Sequence, residues 1–357
     1  MDLLNHLALG FSVALAGVNL LYAFIGVVLG TLIGVLPGIG PVATIAMLLP
    51  TTYALQPVSA LIMLAGIYYG AQYGGSTTAI LINMPGESSS VVTCLDGHKL
   101  ALKGQAGAAL TIAALGSFFA GTVATILVAS VAIPLSELAL KFGPAEYFSL
   151  MVLGLIGAVV LAHGSLLKAI AMIILGLLLG IVGTDVNSGV PRFAFGIPEL
   201  TDGIGVVTVA MGLFGFAEII GNLEVTQARE MVSAKIKGFW LTKEQFRKAW
   251  PAVLRGTGLG SILGVLPGGG AMLSSFASYT LEKKIAKDPS EFGNGAIQGV
   301  AGPESANNAG AQTSFIPLLT LGIPENAVMA LMVGAMTIHN IQPGPQVMTS
   351  TPRCSGD

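Results

Sequence analysis

Two stretches of this chain combine a repeated glycine spacing with backbone groups freed from hydrogen bonding. The first, GVVLGTLIGVLPGIGP, holds Gly26, Gly30, Gly34, Pro37, Gly38 and Gly40. The second, GTGLGSILGVLPGGGA, holds Gly256, Gly260, Gly264, Pro267, Gly268, Gly269 and Gly270. Every position of the first set recurs 230 residues later. Glycines at every fourth position line one helix face and let another backbone pack against it. The proline that follows removes a donor and clashes with the preceding turn, so the helix stops there. Free amides and helix-end dipoles at such tips bind anionic groups and coupling ions. Packing alone explains glycines every four residues, but it does not require a helix to break twice at the same point. The duplicated break therefore favours a substrate or ion site at Pro37, Gly38 and Gly40 and at Pro267, Gly268, Gly269 and Gly270.

Polar clusters follow both tips. Residues 68–78 read YYGAQYGGSTT and residues 304–314 read ESANNAGAQTS. Ser76, Thr77, Thr78, Glu304, Ser305, Asn307, Asn308, Thr313 and Ser314 are the candidates to line a transport path. Hydroxyls and amides donate to carboxylates, while their oxygens and nearby carbonyls suit a hard cation such as Na+. Singly, a Ser or Thr in a helix back-bonds to its own chain and has a structural role. Neither cluster holds a Lys or Arg, so an anion site here relies on amide dipoles, hydroxyls and a co-bound cation. Glu304, beside the helix-breaking Pro303, has three candidate roles: proton coupling, Na+ coordination or helix capping. Glu87 reads as a loop cap. His6, His98, His163 and His339 show no metal-ligand spacing. Cys94 and Cys354 form neither a disulfide framework nor a zinc pattern.

The elements that position these groups are membrane spans. Of the 357 residues, 53% are hydrophobic and only 10% charged, with a mean hydropathy of +0.80. Soluble domains carry about 25% charge, so most of this surface must face lipid. The net charge of -2 and the lack of a basic stripe leave no case for nucleic acid. No Lys or Arg precedes the first apolar stretch, which argues against a secretory signal. Uninterrupted spans are expected near 106–133, 145–162, 166–184 and 203–221, since about 20 apolar residues cross a bilayer. Apolar stretches broken by Pro, Gly and polar residues occupy 17–55, 58–85, 251–281 and 297–338.

Charge sets the orientation, because cytoplasmic loops hold the excess of Lys and Arg. Arg229, Lys235, Lys237, Lys243, Arg247 and Lys248 place the hydrophilic loop 222–250 inside. Lys99, Lys103, Lys283, Lys284 and Lys287 place two more loops inside. The second Pro-Gly hairpin is thus flanked by cytoplasmic charge, while no Lys or Arg precedes Lys99. Two related units facing opposite ways form an inverted repeat with re-entrant hairpins, a secondary-transporter architecture. The organisation expected is a first unit over 1–105, four connecting helices over 106–221, the basic loop over 222–250, a second unit over 251–345 and a polar tail over 346–357. The fold class expected is an all-α polytopic membrane protein.

The PGIGP and PGGG elements, GAQYGGSTTAILINMPGE and AGPESANNA resemble the large membrane subunit of tripartite tricarboxylate transporters, the TctA family. The resemblance runs from near residue 1 to about residue 345. It implies a permease of the bacterial inner membrane, acting with a small membrane subunit and a periplasmic solute-binding protein. The substrate class it implies is citrate or a related carboxylate, taken up with Na+ or H+ and without a cofactor. Members of that family continue with further spans, whereas this sequence ends in the polar run 349–357, so a truncated or frame-shifted product is expected. Other readings stay open: a single-component carrier, a channel, or a non-transporting membrane subunit. No enzyme is expected: neither a nucleophile–base pair nor paired acids stand out within the spans, and PGGGAM lacks the Lys and Ser/Thr of a phosphate loop.

Overall fold

A computed structural model describes residues 2–36, 40–161, 165–185, 190–204, 238–266 and 270–349, with single positions at 209, 212 and 220. Pro37, Gly38, Pro267, Gly268, Gly269, His163, Cys354, the last residues of the tail and nearly all of the expected 203–221 span lie outside the described residues.

The described chain is helical apart from one short antiparallel pair, Gly183–Thr184 with Pro191–Arg192. The first unit holds α1 (Asp2–Ala14), α2 (Gly17–Val35), α3 (Gly40–Leu48), α4 (Pro57–Ile82) and α5 (Val91–Leu100). The connecting helices are α6 (Ala106–Ala139), α7 (Pro144–Leu161) and α8 (Leu166–Gly180). They match three of the expected spans. The second unit holds α9 (Lys243–Leu263), α10 (Gly270–Ile285), α11 (Gln298–Thr313), α12 (Phe315–Leu321), α13 (Ala327–Ile338) and α14 (Pro345–Thr349). Among the described residues, Gly17–Val35 and the nearly continuous stretch Ser88–Ala139 are long and apolar enough to cross a bilayer, and two shorter apolar helices lie at Leu166–Gly180 and Ala327–Ile338. No residue of α8 is buried, and it exposes Leu167, Met172 and Leu177. Apart from Lys168 near its start, this unburied helix is apolar all round, which suits it to lipid.

Both units are built on a seam between helix backbones. A Cβ on Gly26, Gly30 or Gly34 of α2 would collide with the carbonyls of Met63, Ile67 and Ala71 in α4. The partner face of α4 is equally bare: a Cβ on Gly70 or Gly74 would collide with the carbonyls of Val27 and Thr31. The second unit repeats this. Cβ atoms on Gly256, Gly260 and Gly264 of α9 would strike the carbonyls of Gly302, Ala306 and Gly310 in α11. The spacing therefore does what small residues do where no hydrophobic effect draws helices together: it lets them touch.

These contacts correct the alignment of the two units. Met63, Ile67 and Ala71 correspond to Gly302, Ala306 and Gly310, and each pair lies 239 residues apart. The same step joins Asn83 to Gly322, the left-handed caps that end α4 and α12 with φ of 55° and 73°. It also joins Pro85 to Pro324. The tips remain 230 apart; the step grows by nine after them, seven residues from α10 running 16 where α3 runs nine and two from the connections. Ser76-Thr77-Thr78 thus corresponds to Phe315-Ile316-Pro317, and the two polar clusters do not superpose residue for residue.

The units also exchange their ends. The second unit's α13 packs on α3 and α4, placing Met329, Leu331, Met332 and Met336 against Ile45, Leu49, Leu64 and Ile67. In return α5 packs on α11, placing Leu100 and Ala101 against Ile297, Val300 and Ala301. Asp96 of α5 clamps this second contact. Its Oδ1 accepts from the amides of Gly293, Gly295 and Ala296 at 2.9, 2.6 and 2.8 Å, and its Oδ2 accepts from the Tyr279 hydroxyl at 2.9 Å.

Two predictions follow from the seams and the exchange. Gly30→Val should destabilise the detergent-solubilised chain by about 3 kcal/mol, the upper end of overpacking costs, while Gly121→Val, with open space around it, should change the melting temperature little. Ser275 Oγ donates to the Ser89 carbonyl at 2.8 Å, so cysteines at 89 and 275 should join under mild oxidation. Cysteines at 89 and 45, the equivalent position within the first unit, should not.

Candidate functional site

The start of each tip helix is built alike. Gly40 and Gly270 both sit at φ 50°, in the left-handed region that favours glycine. Four residues on, Thr44 Oγ1 donates to the Gly40 carbonyl at 2.8 Å and Ser274 Oγ donates to the Gly270 carbonyl at 2.7 Å. The hydroxyls bind back into their own helices, which leaves the first-turn amides of α3 and α10 to other partners.

Both tip helices open on one cavity of about 330 Å³. Pro41 and Val42 line it from α3, and Gly270, Ala271 and Met272 from α10. The remaining walls are Tyr68 of α4, the segment Glu87-Ser88-Ser89 before α5, and the segment Glu325-Asn326-Ala327-Val328 at the start of α13. The exchange of ends creates this arrangement, since each unit's cap segment is carried to the other unit's tip. Among the described residues lining the cavity there is no Lys or Arg.

The acidic groups are held by the caps. Glu325 Oε2 accepts from the Gly270 amide at 3.0 Å, which sets a carboxylate on the first turn of α10. The Asn326 Nδ2 donates to Glu325 Oε1 at 2.5 Å, and Asn326 Oδ1 accepts from the Met329 amide at 2.9 Å to cap α13. In the first unit, the Glu87 amide donates to Ser90 Oγ at 3.4 Å, and Ser89 Oγ donates to Glu87 Oε1. Glu87 is the loop cap that its position suggests, and it also faces the cavity.

Glu304 lies elsewhere. It is 1% exposed, and its carboxylate accepts from Ser76 Oγ at 2.6 Å and from Thr93 Oγ1. Polar contacts run from its helix to the cavity rim: Asn307, three residues on in α11, donates its Nδ2 to Ser89 Oγ at 3.4 Å. Asn308 Nδ2 donates to Asn307 Oδ1 at 2.6 Å and to Ser117 Oγ of α6 at 2.8 Å. Ser76, Glu304, Asn307 and Asn308 therefore form one network that joins both units beside the cavity.

The other candidates separate from it. Thr77 is turned outward and donates to the Tyr73 carbonyl at 3.0 Å. Thr78, Ser305, Thr313 and Ser314 donate to main-chain carbonyls three or four residues back, at 2.9, 2.8, 3.0 and 2.6 Å. Ser305 also packs where a Cβ on Gly116 would come within 2.7 Å of its Oγ. The residues that sequence reasoning passed over are Glu325, Asn326 and Tyr68. The signal was present in Pro324-Glu325-Asn326 and Pro85-Gly86-Glu87, each a proline, a cap and then an apolar helix.

Similarity to known proteins agrees with this architecture. A 52.8 kDa uncharacterized protein in the TAR-I ttuC' 3'region of Agrobacterium vitis is 63% identical over 352 residues, covering 99% of this chain and 70% of that protein. An uncharacterized protein in the TAR-II ttuC' 3'region of the same organism is 71% identical over 93 residues, 26% of this chain and 38% of that protein. No solved structure matches. The family model described as the tripartite tricarboxylate transporter TctA family matches residues 20–355, nearly the whole chain. The chain thus belongs to the tripartite tricarboxylate transporter TctA family, a family of membrane transport proteins.

Proposed function

We propose that the chain is the permease subunit of a tripartite carboxylate carrier of the bacterial inner membrane. In this reading it receives citrate or a related carboxylate from a periplasmic binding protein, works beside a small membrane subunit, and moves its substrate with Na+ or H+. The observation that carries the reading is the meeting of two tip-helix starts and two carboxylates, Glu87 and Glu325, at one cavity. Its volume of about 330 Å³ falls within the roughly 300–1,000 Å³ of small-molecule sites.

The charges explain why cation coupling goes with this geometry. Each helix start presents about half a positive charge, enough to orient a carboxylate group. Glu87 and Glu325 oppose the same group. Two like charges 4 Å apart repel by about 4 kcal/mol at an effective dielectric of 20, and no Lys or Arg in the lining offsets that. A polycarboxylate therefore enters well only once cations or protons have neutralised the acids. Substrate and cation then bind together or scarcely at all, which is symport. In the inverted arrangement read from the loop charges, the units 1–105 and 251–345 face each other across this cavity. Tipping one against the other would open it to either side in turn.

Proteoliposomes holding the permease, its small subunit and the binding protein test this reading. Citrate uptake should saturate and should stop when both Na+ and H+ gradients are collapsed. Glu325→Gln keeps an acceptor for the Gly270 amide and removes the charge, and should cut gradient-driven uptake about tenfold or more, equivalent to about 1.4 kcal/mol of barrier. Uptake that rises without saturating, or that ignores both gradients, would point to a channel and reject the proposal.

A further inference from the structure

A patch of rings and cations around the start of α9 faces away from the rest of the described chain. The segment leading into it is fixed to α6: a Cβ on Gly107 would collide with the Gly238 carbonyl, and Thr111 Oγ1 donates to the Phe239 carbonyl. Gln245 Nε2 of α9 donates to Gln105 Oε1 at 2.9 Å. Leu241 turns inward and packs against the core that holds Ala109, Ala249 and Val253. Between these anchors Phe239 is 58% and Trp240 91% exposed. Rings turned out from a pinned backbone mark a surface that meets something other than water.

The first turns of α9 continue the patch. Lys243, Arg247, Trp250 and Leu254 follow at steps of four, three and four, which puts them on one helix face. Lys243, Arg247 and Leu254 are exposed. Phe246 stacks on Trp250 at 5.6 Å, and Phe119 of α6 meets Trp250 edge-on at 4.9 Å. Among the described residues neither Lys243 nor Arg247 has an ion-pair partner; Glu244 and Glu291 pair with Lys248 instead. Two uncompensated cations thus stand above an apolar strip, at the end of α9 that the loop charges place on the cytoplasmic side.

That order, cation then ring then aliphatic chain, follows a phospholipid from its phosphate to its acyl chain. A zwitterionic headgroup brings its own cation, whereas a headgroup of net negative charge matches both free cations. A helix of another subunit fits less well. Helices in a bilayer meet through small residues, as α2 and α4 do here, and the four positions of this face are all large. We propose that this face of α9, with Phe239 and Trp240, binds a phospholipid of net negative charge from the cytoplasmic leaflet. Lys243 and Arg247 hold its phosphate, Phe239 and Trp240 lie at headgroup level, and Trp250 and Leu254 carry an acyl chain. Because the segment is pinned to α6, a lipid held here fixes the depth at which the second unit enters the membrane. The inference rests on the membrane character of the chain, and not on what the cavity carries.

Fluorescence of the full chain, reconstituted in phosphatidylcholine vesicles, tests the site. The chain has two tryptophans, so Trp250→Phe leaves Trp240 as the reporter and keeps a ring for Phe246 and Phe119. Phosphatidylglycerol with brominated acyl chains should quench Trp240 with a relative affinity about tenfold above that of brominated phosphatidylcholine. Each cation near a bilayer surface is worth about fivefold, so Lys243→Gln with Arg247→Gln should bring the two lipids near parity. Lys283→Gln with Lys284→Gln, on exposed lysines of α10, should leave the preference unchanged. Should Trp250→Phe fail to fold, native mass spectrometry of the otherwise unaltered chain stands in, and should count fewer retained phosphatidylglycerols once Lys243 and Arg247 are replaced. Emission that neither lipid quenches would overturn the site. Equal quenching by both lipids, or a preference that survives the loss of Lys243 and Arg247, would overturn it too. A preference lost equally on replacing Lys283 and Lys284 would reduce the effect to net charge and reject the site. Loss of all quenching when the small membrane subunit is added would give this face to that subunit, and would also reject it.

Discussion

The close contact of α2 with α4, and of α9 with α11, is the constraint on which the rest of the molecule depends. In each seam three glycines at four-residue spacing meet the carbonyls of the partner helix. In a bilayer no hydrophobic effect separates one apolar surface from another, so dispersion between closely fitted backbones is what joins helices. A long seam also fixes each helix in rotation and in register. That is why α3 and α10, the helices that next follow α2 and α9, start at a set place. Gly86 shows how tight the fit is: a Cβ there would collide with the Gly34 carbonyl and lie 2.5 Å from Gly75 Cα.

From the seams the site follows in two steps. The tip helices start at the ends of the seams, with Gly40 and Gly270 in the same left-handed conformation. The exchange of α5 and α13 then brings each unit's cap to the other's tip, and Asp96 and the Ser275–Ser89 contact hold part of that exchange in place. A carboxylate on a helix start is favoured by the dipole, so Glu325 is at home on the first turn of α10. The same arrangement sets helix-start amides, which favour an anion, beside carboxylates, which oppose one.

Much of this was legible in residues 26–40 and 256–270, because glycine spacing and a proline break are local signals with a local physical meaning. The membrane character was legible from charge content, and α6, α7 and α8 lie where uninterrupted apolar runs put them. The pairing of the polar clusters was not. The larger step is readable where Met84-Pro85-Gly86-Glu87 resembles Ile323-Pro324-Glu325, but that resemblance pairs Ser76-Thr77-Thr78 with Thr313-Ser314, and the contact register of Ala71 with Gly34 and of Gly310 with Gly264 corrects it. Nor was the exchange of ends legible, since contacts between residues some 200 apart leave no period in the sequence. For that reason Glu304 stood out as the singular acid, while Glu87 and Glu325, whose roles depend on which tip they face, did not. The oligopeptides at 37–39 and 267–269 lie outside the described residues, and their part in the site remains the expectation drawn from their composition.

The account's central claim is that two related units face each other from opposite sides of the membrane around one cavity. The most direct measurement places single cysteines at Val42 and at Met272, in a chain whose native Cys94 and Cys354 are replaced by serine, and labels them with a membrane-impermeant thiol reagent from each side. The result expected is that the two positions exchange sides as cation and substrate conditions change, with Val42 favouring the outside and Met272 the cytoplasm when the cavity is empty. Labelling of both positions from the same single side under every condition would contradict it.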